Sequence, residues 1–277
     1  MADGDLKRKL VQFALDYAEN SPLRKISPGE ELSSECAGLT VFDLPIIGIA
    51  SASDPLFSEL KKPEVVGEDI LLPDEWLPGA RSVISFFMPA SGEARDDNRA
   101  RRDTPSFKWM QMTTEGSRLI KALGGALCGY IEELGYRAVM PVLDERFRGY
   151  RYVERRGDRH YMSAWSERHA AYIAGLGTFS LTRGLITRRG VAGRFGSVIT
   201  NLELEPDIRG YSGLYDYCTM CGACVKRCPA GAITLDSGKR NEICAPFVDK
   251  LCAGFEPRNS CGKCQVGVPC EKRIPKK

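Results

Sequence analysis

No stretch of the 277 residues approaches 18 consecutive apolar side chains, so the chain has no segment able to cross a bilayer as a helix. The opening MADGDLKRKLVQFALDYAEN has the period of an amphipathic helix and lacks the apolar core of a secretory signal. No twin-arginine segment precedes it, and a cytoplasmic protein without a membrane partner is the expectation. Charge of one sign is also missing: 39 Lys and Arg against 36 Asp and Glu leave a net charge of +3, too small to argue for nucleic acid. There is no phosphate-binding P-loop. The nearest approach to a dinucleotide fingerprint, Gly175-x-Gly177, follows a helical pattern instead of a strand and has Ser180 in the third glycine place, which excludes a Rossmann site.

What the chain has in quantity is cysteine, 11 residues in all. Cys218-x2-Cys221-x2-Cys224-x3-Cys228, followed at once by Pro229, is a binding frame for iron–sulfur clusters. In two-cluster ferredoxins the first three cysteines of such a run hold one cluster and the fourth reaches the other, so this run implies two 4Fe–4S clusters and further ligands downstream. Cys244, Cys252, Cys261, Cys264 and Cys270 supply five candidates for the four open places. By the pseudo-symmetry of such frames, Cys270 joins Cys218, Cys221 and Cys224, while Cys228 joins Cys244, Cys261 and Cys264. Cys252 is then spare, although it and Cys244 can exchange roles. A zinc site or a disulfide framework is the rival reading, but a Cys-Pro closing a tight cysteine run is not a zinc spacing. Cys36 and Cys128 lie in apolar sequence and read as buried free thiols. Thiolates in metal-site spacing again fit a reducing compartment.

An apolar content of 43% over this length allows a substantial core and suggests a large domain followed by a small one. The boundary is placed between residues 210 and 211, after the loop marked by Pro206 and Gly210. Upstream, the periodicity predicts helices near Leu6–Glu19, Thr113–Leu134 and Ser166–Ala174. It predicts strands at Ile46–Ala50, Ser82–Phe87, Arg137–Val142, Gly184–Thr187 and Ser197–Leu202. The fold class is therefore α+β or α/β, a sheet covered by helices. The charged run SGEARDDNRARRD from Ser91 to Asp103 lacks periodicity and reads as an exposed loop, with a basic docking patch as the alternative.

Glycines crowd the stretch from Glu167 to Leu202, where Gly175, Gly177, Gly184, Gly190, Gly193 and Gly196 fall at turns and strand ends. Glycine there supplies turn geometry or removes a side chain that would block a flat ligand. AGLGTFS (174–180), GLIT (184–187), RFGSVITNL (194–202) and CTMCGACVKRCPAGAI (218–233), in that order, resemble the catalytic core of epoxyqueuosine reductases, a core shared with reductive dehalogenases. Weaker similarity reaches back to LPGARSVISFFMP (77–89). The resemblance implies a nitroreductase-like α/β domain that holds a cobalamin, followed by a two-cluster ferredoxin-like domain that feeds it electrons. Reduction of cobalt to Co(I) needs a low-potential donor nearby, which a 4Fe–4S cluster can be. No DxHxxG element is present and there are only two histidines, His160 and His169, so the implied corrin is held base-off.

Reductive chemistry also needs a proton donor. Counting back from AGLG, the resemblance places Tyr161 where epoxyqueuosine reductases have an aspartate and reductive dehalogenases a tyrosine, with Asp144, His160 and Glu167 as rivals, since Asp144–His160 is an extra stretch. Candidate cofactor contacts are Gly175, Gly177, Arg194, Gly196 and Ser197; Arg168 and Arg183 are ambiguous between site and surface. The chain departs from the family in ending soon after Cys270, without the helical-repeat extension of the enzymes that handle tRNA, which argues against a tRNA substrate and for a small organic one. The ending CGKCQVGVPCE also departs from the family's CxxCxxxCP form. Two readings stand: a cobalamin-dependent reductase served by a low-potential donor such as a ferredoxin or flavodoxin, and a non-enzymatic electron carrier docking on a redox partner. A flavin reductase is a third class, disfavoured because no flavin phosphate site is visible.

Overall fold

Ser82–Pro89 is buried along its whole length, and the fold is built around that strand. The computed structural model describes residues 3–147, 151–155 and 158–276, the side chains of Asp3 and of residues 151–161 excepted. In chain order the helices are α1 (Asp3–Asn20), α2 (Pro55–Glu59), α3 (Pro73–Trp76), α4 (Gly92–Ala100), α5 (Phe107–Glu133), α6 (Glu167–Ile173), α7 (Ala223–Arg227) and α8 (Asn241–Leu251). The strands are β1 (Ile46–Ser51), β2 (Ser82–Pro89), β3 (Ala138–Val139), β4 (Arg151–Arg155), β5 (Asp158–Met162), β6 (Gly177–Phe179), β7 (Leu185–Thr187), β8 (Gly193–Thr200), β9 (Ile233–Thr234) and β10 (Gly238–Lys239).

The main sheet has the order β1-β2-β8-β3 with every pair antiparallel. Because side chains alternate along a strand, β2 feeds two cores at once. Ile84, Phe86 and Met88 meet Leu10, Trp109, Leu119 and Leu123 of α1 and α5, while Val83 and Phe87 meet Phe57, Trp76, Trp165 and Ala171 on the α6 side. The result is a sheet between two helical layers. Helix α5 starts where Ser106 Oγ accepts the Trp109 amide at 3.1 Å, a side-chain cap that satisfies an otherwise orphaned donor.

Three expectations are corrected. The strand expected over Arg137–Val142 shrinks to Ala138–Val139, because Pro141 has no amide to donate and starts a 3-10 turn at Pro141–Leu143. The charged run after Ser91 is a helix: Ser91 Oγ accepts the Ala94 amide at 3.3 Å, and Ala94 and Asn98, one turn apart, are fully buried. Its charge hid two inward positions. The strand expected from Ser197 begins four residues earlier, at Gly193.

Beyond Thr200 the chain crosses back to pack on the small sheet β6–β7. Leu181, Ile186 and Val191 share a third apolar cluster with Cys224, Ile233 and Val268, so the cysteine-rich segment has its own core anchored on the glycine-rich stretch.

Candidate functional site

Two cavities lie in the cysteine-rich segment, and each is lined by four cysteines. The first is bounded by Cys218, Cys221, Cys224 and Cys270, together with Ser180, Leu181 and Ile186 of the β6–β7 region. The second is bounded by Cys228, Cys244, Cys261 and Cys264, with Phe247 and Val248 of α8 and with Arg194 of β8. Cys252, at the end of α8, belongs to neither and is buried. Burial and the neighbouring cysteine charges push the thiol of Cys270 up to about 12 and those of Cys224 and Cys261 up to about 11. Four thiolates so placed need a bound cation to offset burial and mutual repulsion, and the donor set, four sulfurs around a cavity, suits an iron–sulfur cube. Among the described residues no three His, Cys, Asp or Glu close on a point fit for a single metal ion.

The second cavity is held in place by the helical layer. Lys263, only 1% exposed, donates from Nζ to both Asn98 O and Asn98 Oδ1 at 2.7 Å, and Asn98 Nδ2 donates to Cys261 O at 3.2 Å. Burial pulls the Lys263 ammonium down to about 8. Arg227, next to Cys228, donates to the carbonyls of Arg99 and Arg101 at 2.9 and 3.2 Å. Two cations from the two cysteine runs thus close the carboxyl end of α4, where the helix dipole is negative. Gly262 lies in the left-handed region at φ +67, and a Cβ there would stand 2.0 Å from the Trp109 ring, so the loop between Cys261 and Cys264 can seat only glycine at this position. Trp109 Nε1 and Arg194 Nη2 both donate to Ser260 Oγ, at 3.1 and 3.3 Å.

The tail after Cys270 is clamped as well. Glu271, 5% exposed, accepts from Arg99 Nε at 3.1 Å, from Arg99 Nη2 and from the Gly267 amide at 2.7 Å.

On the other face of β8 lies a polar cluster. Ser197 Oγ donates to Glu167 Oε2 at 2.6 Å and accepts from Trp165 Nε1 at 2.8 Å. Glu167 opens α6, and His169, two residues further, meets Ser166 Oγ through Nδ1 at 2.7 Å with its ring 5.0 Å from Phe179. Glu167 and His169 are both surrounded by protein yet keep part of their surface accessible. Burial pushes the Glu167 carboxyl up to about 7, against the pull of its Ser197 and Trp165 hydrogen bonds. Burial, aided by the Arg168 charge, pulls His169 down to about 4, so its ring is neutral at ordinary pH. Ser85, directly across the ladder from Ser197, and Trp76 each bury a polar atom that finds no hydrogen-bond partner among the described residues. Arg194 and Ser197 therefore put the second cavity and the polar cluster on opposite sides of one strand.

Other candidate residues take different places. Asp144 is paired with Arg146, which donates from Nε at 2.8 Å and Nη2 at 2.6 Å and reaches on to the Glu75 and Trp76 carbonyls. The guanidinium holds the Asp144 carboxyl below its usual range, and a carboxylate kept ionised is a poor proton donor. Tyr161 lies on β5, opposite Tyr152, with its side chain outside the described residues, as is that of His160. The glycines face protein. A Cβ on Gly177 would stand 1.9 Å from Ile186 O, and one on Gly196 would stand 2.4 Å from the Phe86 ring. Gly175, at φ +80, ends α6, with Asp207 and Ile208 its nearest neighbours. Arg168 reaches the Arg183 carbonyl. The network of Ser197, Glu167 and Trp165 is not legible in the sequence because its members are 30 and 32 residues apart and only the packing of α6 on β8 unites them.

Residues 214–234 match the family model described as a 4Fe-4S binding domain. None of the curated proteins matches the chain. Among solved structures, the chain is similar to epoxyqueuosine reductase from Bacillus subtilis, solved with its catalytic loop swung out of the active site: identity 19%, TM-score 0.57, covering 99% of this chain and 67% of that one. An epoxyqueuosine reductase solved with an epoxyqueuosine-modified tRNA stem loop gives 18% and 0.56, covering 99% of this chain and 68% of its own. A reductive dehalogenase whose structure suggests a mechanism for B12-dependent dehalogenation gives 17% and 0.54, covering 97% of this chain and 37% of its own. No helix of the described residues is long and apolar enough to cross a membrane. The chain thus carries a 4Fe-4S binding domain on the fold of epoxyqueuosine reductases and reductive dehalogenases.

Proposed function

We propose that the protein is an iron–sulfur oxidoreductase in which two 4Fe–4S clusters, one per cysteine group, pass single electrons to an acceptor in the α/β domain that reduces a small organic substrate. The observation that carries this reading is β8, whose Arg194 borders the second cysteine cavity while its Ser197, on the opposite face, bonds Glu167. A cluster held by the second cysteine group would sit on one face of β8, with a carboxyl that exchanges its proton near neutrality on the other. The residues fit both clusters: four thiolates each, in cavities backed by apolar side chains.

Cobalamin is the acceptor that the fold likeness suggests. Protein atoms fill the space in front of Gly177 and Gly196, so a corrin would not rest against those two glycines. The groups left to meet such a cofactor are the buried Ser85 and Trp76 atoms that find no partner among the described residues, together with Glu167 and His169. A corrin bound there would supply a strongly reducing metal centre. The chain's own residues would hold the proton on Glu167, keep His169 neutral and limit water. Tyr161 stays a candidate donor, the nitroreductase-like layering is part of the same proposal, and residues 210 and 211 mark its division into domains.

The filled glycine positions favour one second reading, a two-cluster electron carrier that docks on another enzyme. Anaerobic purification from a host supplied with cobalamin, followed by cyanide extraction and a visible spectrum, separates the two. About one corrinoid per chain, with about eight irons, supports the reductase. A full iron count without corrinoid after reconstitution supports the carrier. Because one similar enzyme was solved with a tRNA stem loop, tight binding of such a stem loop would replace the small substrate with tRNA.

A further inference from the structure

We infer that the exposed face around the first cysteine group is the docking surface for an acidic protein electron donor, an inference that rests on the cluster reading above. Of the eight cysteines lining the two cavities, Cys221 alone is exposed. Around it stand large apolar side chains that the fold leaves in solvent: Leu214 (52% exposed), Tyr215 (48%), Met220 (42%) and Leu235 (56%). They are contiguous with the group. The Cys218 amide donates to Tyr215 O at 2.8 Å, Met220 Sδ lies 3.7 Å from Cys218 Sγ, and Leu235 is the neighbour a Cβ on Gly222 would meet, at 3.6 Å. Exposed apolar groups clustered beside an exposed ligand of a redox centre mark a contact surface, since a cluster exchanges electrons only with what comes close to it.

Charge selects the occupant. Residues 211–277 hold 11 Lys and Arg against six Asp and Glu, whereas residues 1–210 hold 28 against 30, so the whole positive excess of the chain sits in the cysteine-rich segment. Lys226 is exposed two residues beyond Cys224, and Arg273 and Lys276 are exposed on either side of Pro275, which lines the first cavity. Among the described residues none of these three stands in an ion pair. A second copy of the chain would bring the same positive patch against itself, which a symmetric contact cannot relieve. The exposed acids beside the patch, Asp216 and Asp236, are outnumbered by Lys226, Arg273 and Lys276, so an acidic carrier is drawn to it, and a small apolar patch in a net-positive surround suits a fast, short-lived complex. The step is a single-electron transfer: the donor's reduced centre loses one electron, the oxidised cluster gains it, and no bond or proton moves.

The test is anaerobic stopped-flow reduction of the cluster-loaded full chain by two probes, a reduced acidic 2Fe–2S ferredoxin and the cationic methyl viologen radical. The variants are Leu235→Glu and the triple change Lys226→Glu, Arg273→Glu, Lys276→Glu, each checked for iron content. The expected result is that ferredoxin reduction slows about tenfold in both variants and falls as salt is raised in the native protein, while viologen reduction stays within about twofold. Affinity for oxidised ferredoxin, measured by calorimetry, should weaken in parallel. A native rate indifferent to salt, variants that match it, or a dimer that Leu235→Glu dissolves would overturn the inference. A native chain without iron is a distinct result, which would overturn the cluster reading and the docking surface with it.

Discussion

Glu167 and His169 should impose opposite pH dependences on stability, and removing either one should reveal the other. Burial raises Glu167 from 4.5 to about 7, so the folded chain binds that proton more tightly than the unfolded chain. Its stabilising contribution is full below 4.5 and is lost as pH rises through about 7. Burial lowers His169 from 6.5 to about 4, so its contribution is full above 6.5 and is lost as pH falls through about 4. At about 1.4 kcal/mol per pH unit each interval is worth roughly 3 kcal/mol, an upper figure because both side chains keep part of their surface in contact with solvent. Between pH 6.5 and 4.5 the two nearly cancel. Guanidinium unfolding, run anaerobically at matched pH on native protein, Glu167→Gln and His169→Gln, reads the differences, and cluster loss common to all three drops out. Relative to native, Glu167→Gln should gain up to about 3 kcal/mol as pH rises from 5 to 8, and His169→Gln should gain as pH falls below 6.5. Parallel curves for native protein and Glu167→Gln across that range would refute a buried, protonated Glu167.

Gly190 has φ +81, and a Cβ there would stand 2.2 Å from Glu271 O, so Gly190→Ala should cost about 3 kcal/mol or more and loosen the Cys270 tail, read as faster iron loss to a chelator. Glu271→Gln removes the charge that Arg99 clamps and should cost about 2–3 kcal/mol in thermal unfolding, with α4 amides exchanging faster. Gly177→Ala, where the new carbon would meet Ile186 O at 1.9 Å, should lower stability without changing corrinoid uptake; selective loss of uptake at native stability would assign Gly177 to the cofactor instead.

Local patterns made much of this legible. The apolar runs at Ile46 and Ser82 mark β1 and β2 because both faces of that sheet are covered, and the glycine after Ala174 marks the end of α6. The cysteine spacing carried the division into two groups of four, since a cube of iron and sulfur constrains its ligands more narrowly than any helix or strand does. What stayed hidden was tertiary. The charges from Arg95 to Asp103 masked the buried Ala94 and Asn98, whose role is to hold Lys263 and the Cys261 loop. The glycines read as ligand cradles because a missing side chain looks the same in sequence whether a cofactor or a backbone carbonyl takes its place, as Ile186 O does at Gly177. Ser197 was singled out, but its partners Trp165 and Glu167 are joined to it only when α6 packs on β8.

Iron and acid-labile sulfide, counted with Mössbauer spectra on anaerobic native protein and on Cys221→Ser, Cys244→Ser and Cys252→Ser, test the two-cluster architecture most directly. The expected counts are about eight irons in native protein and in Cys252→Ser, and about four in each of the other two, with a single remaining 4Fe–4S signal. A native count near four, or a Cys252→Ser chain that loses half its iron while Cys244→Ser keeps all of it, would contradict the placing of one cluster in each cysteine cavity.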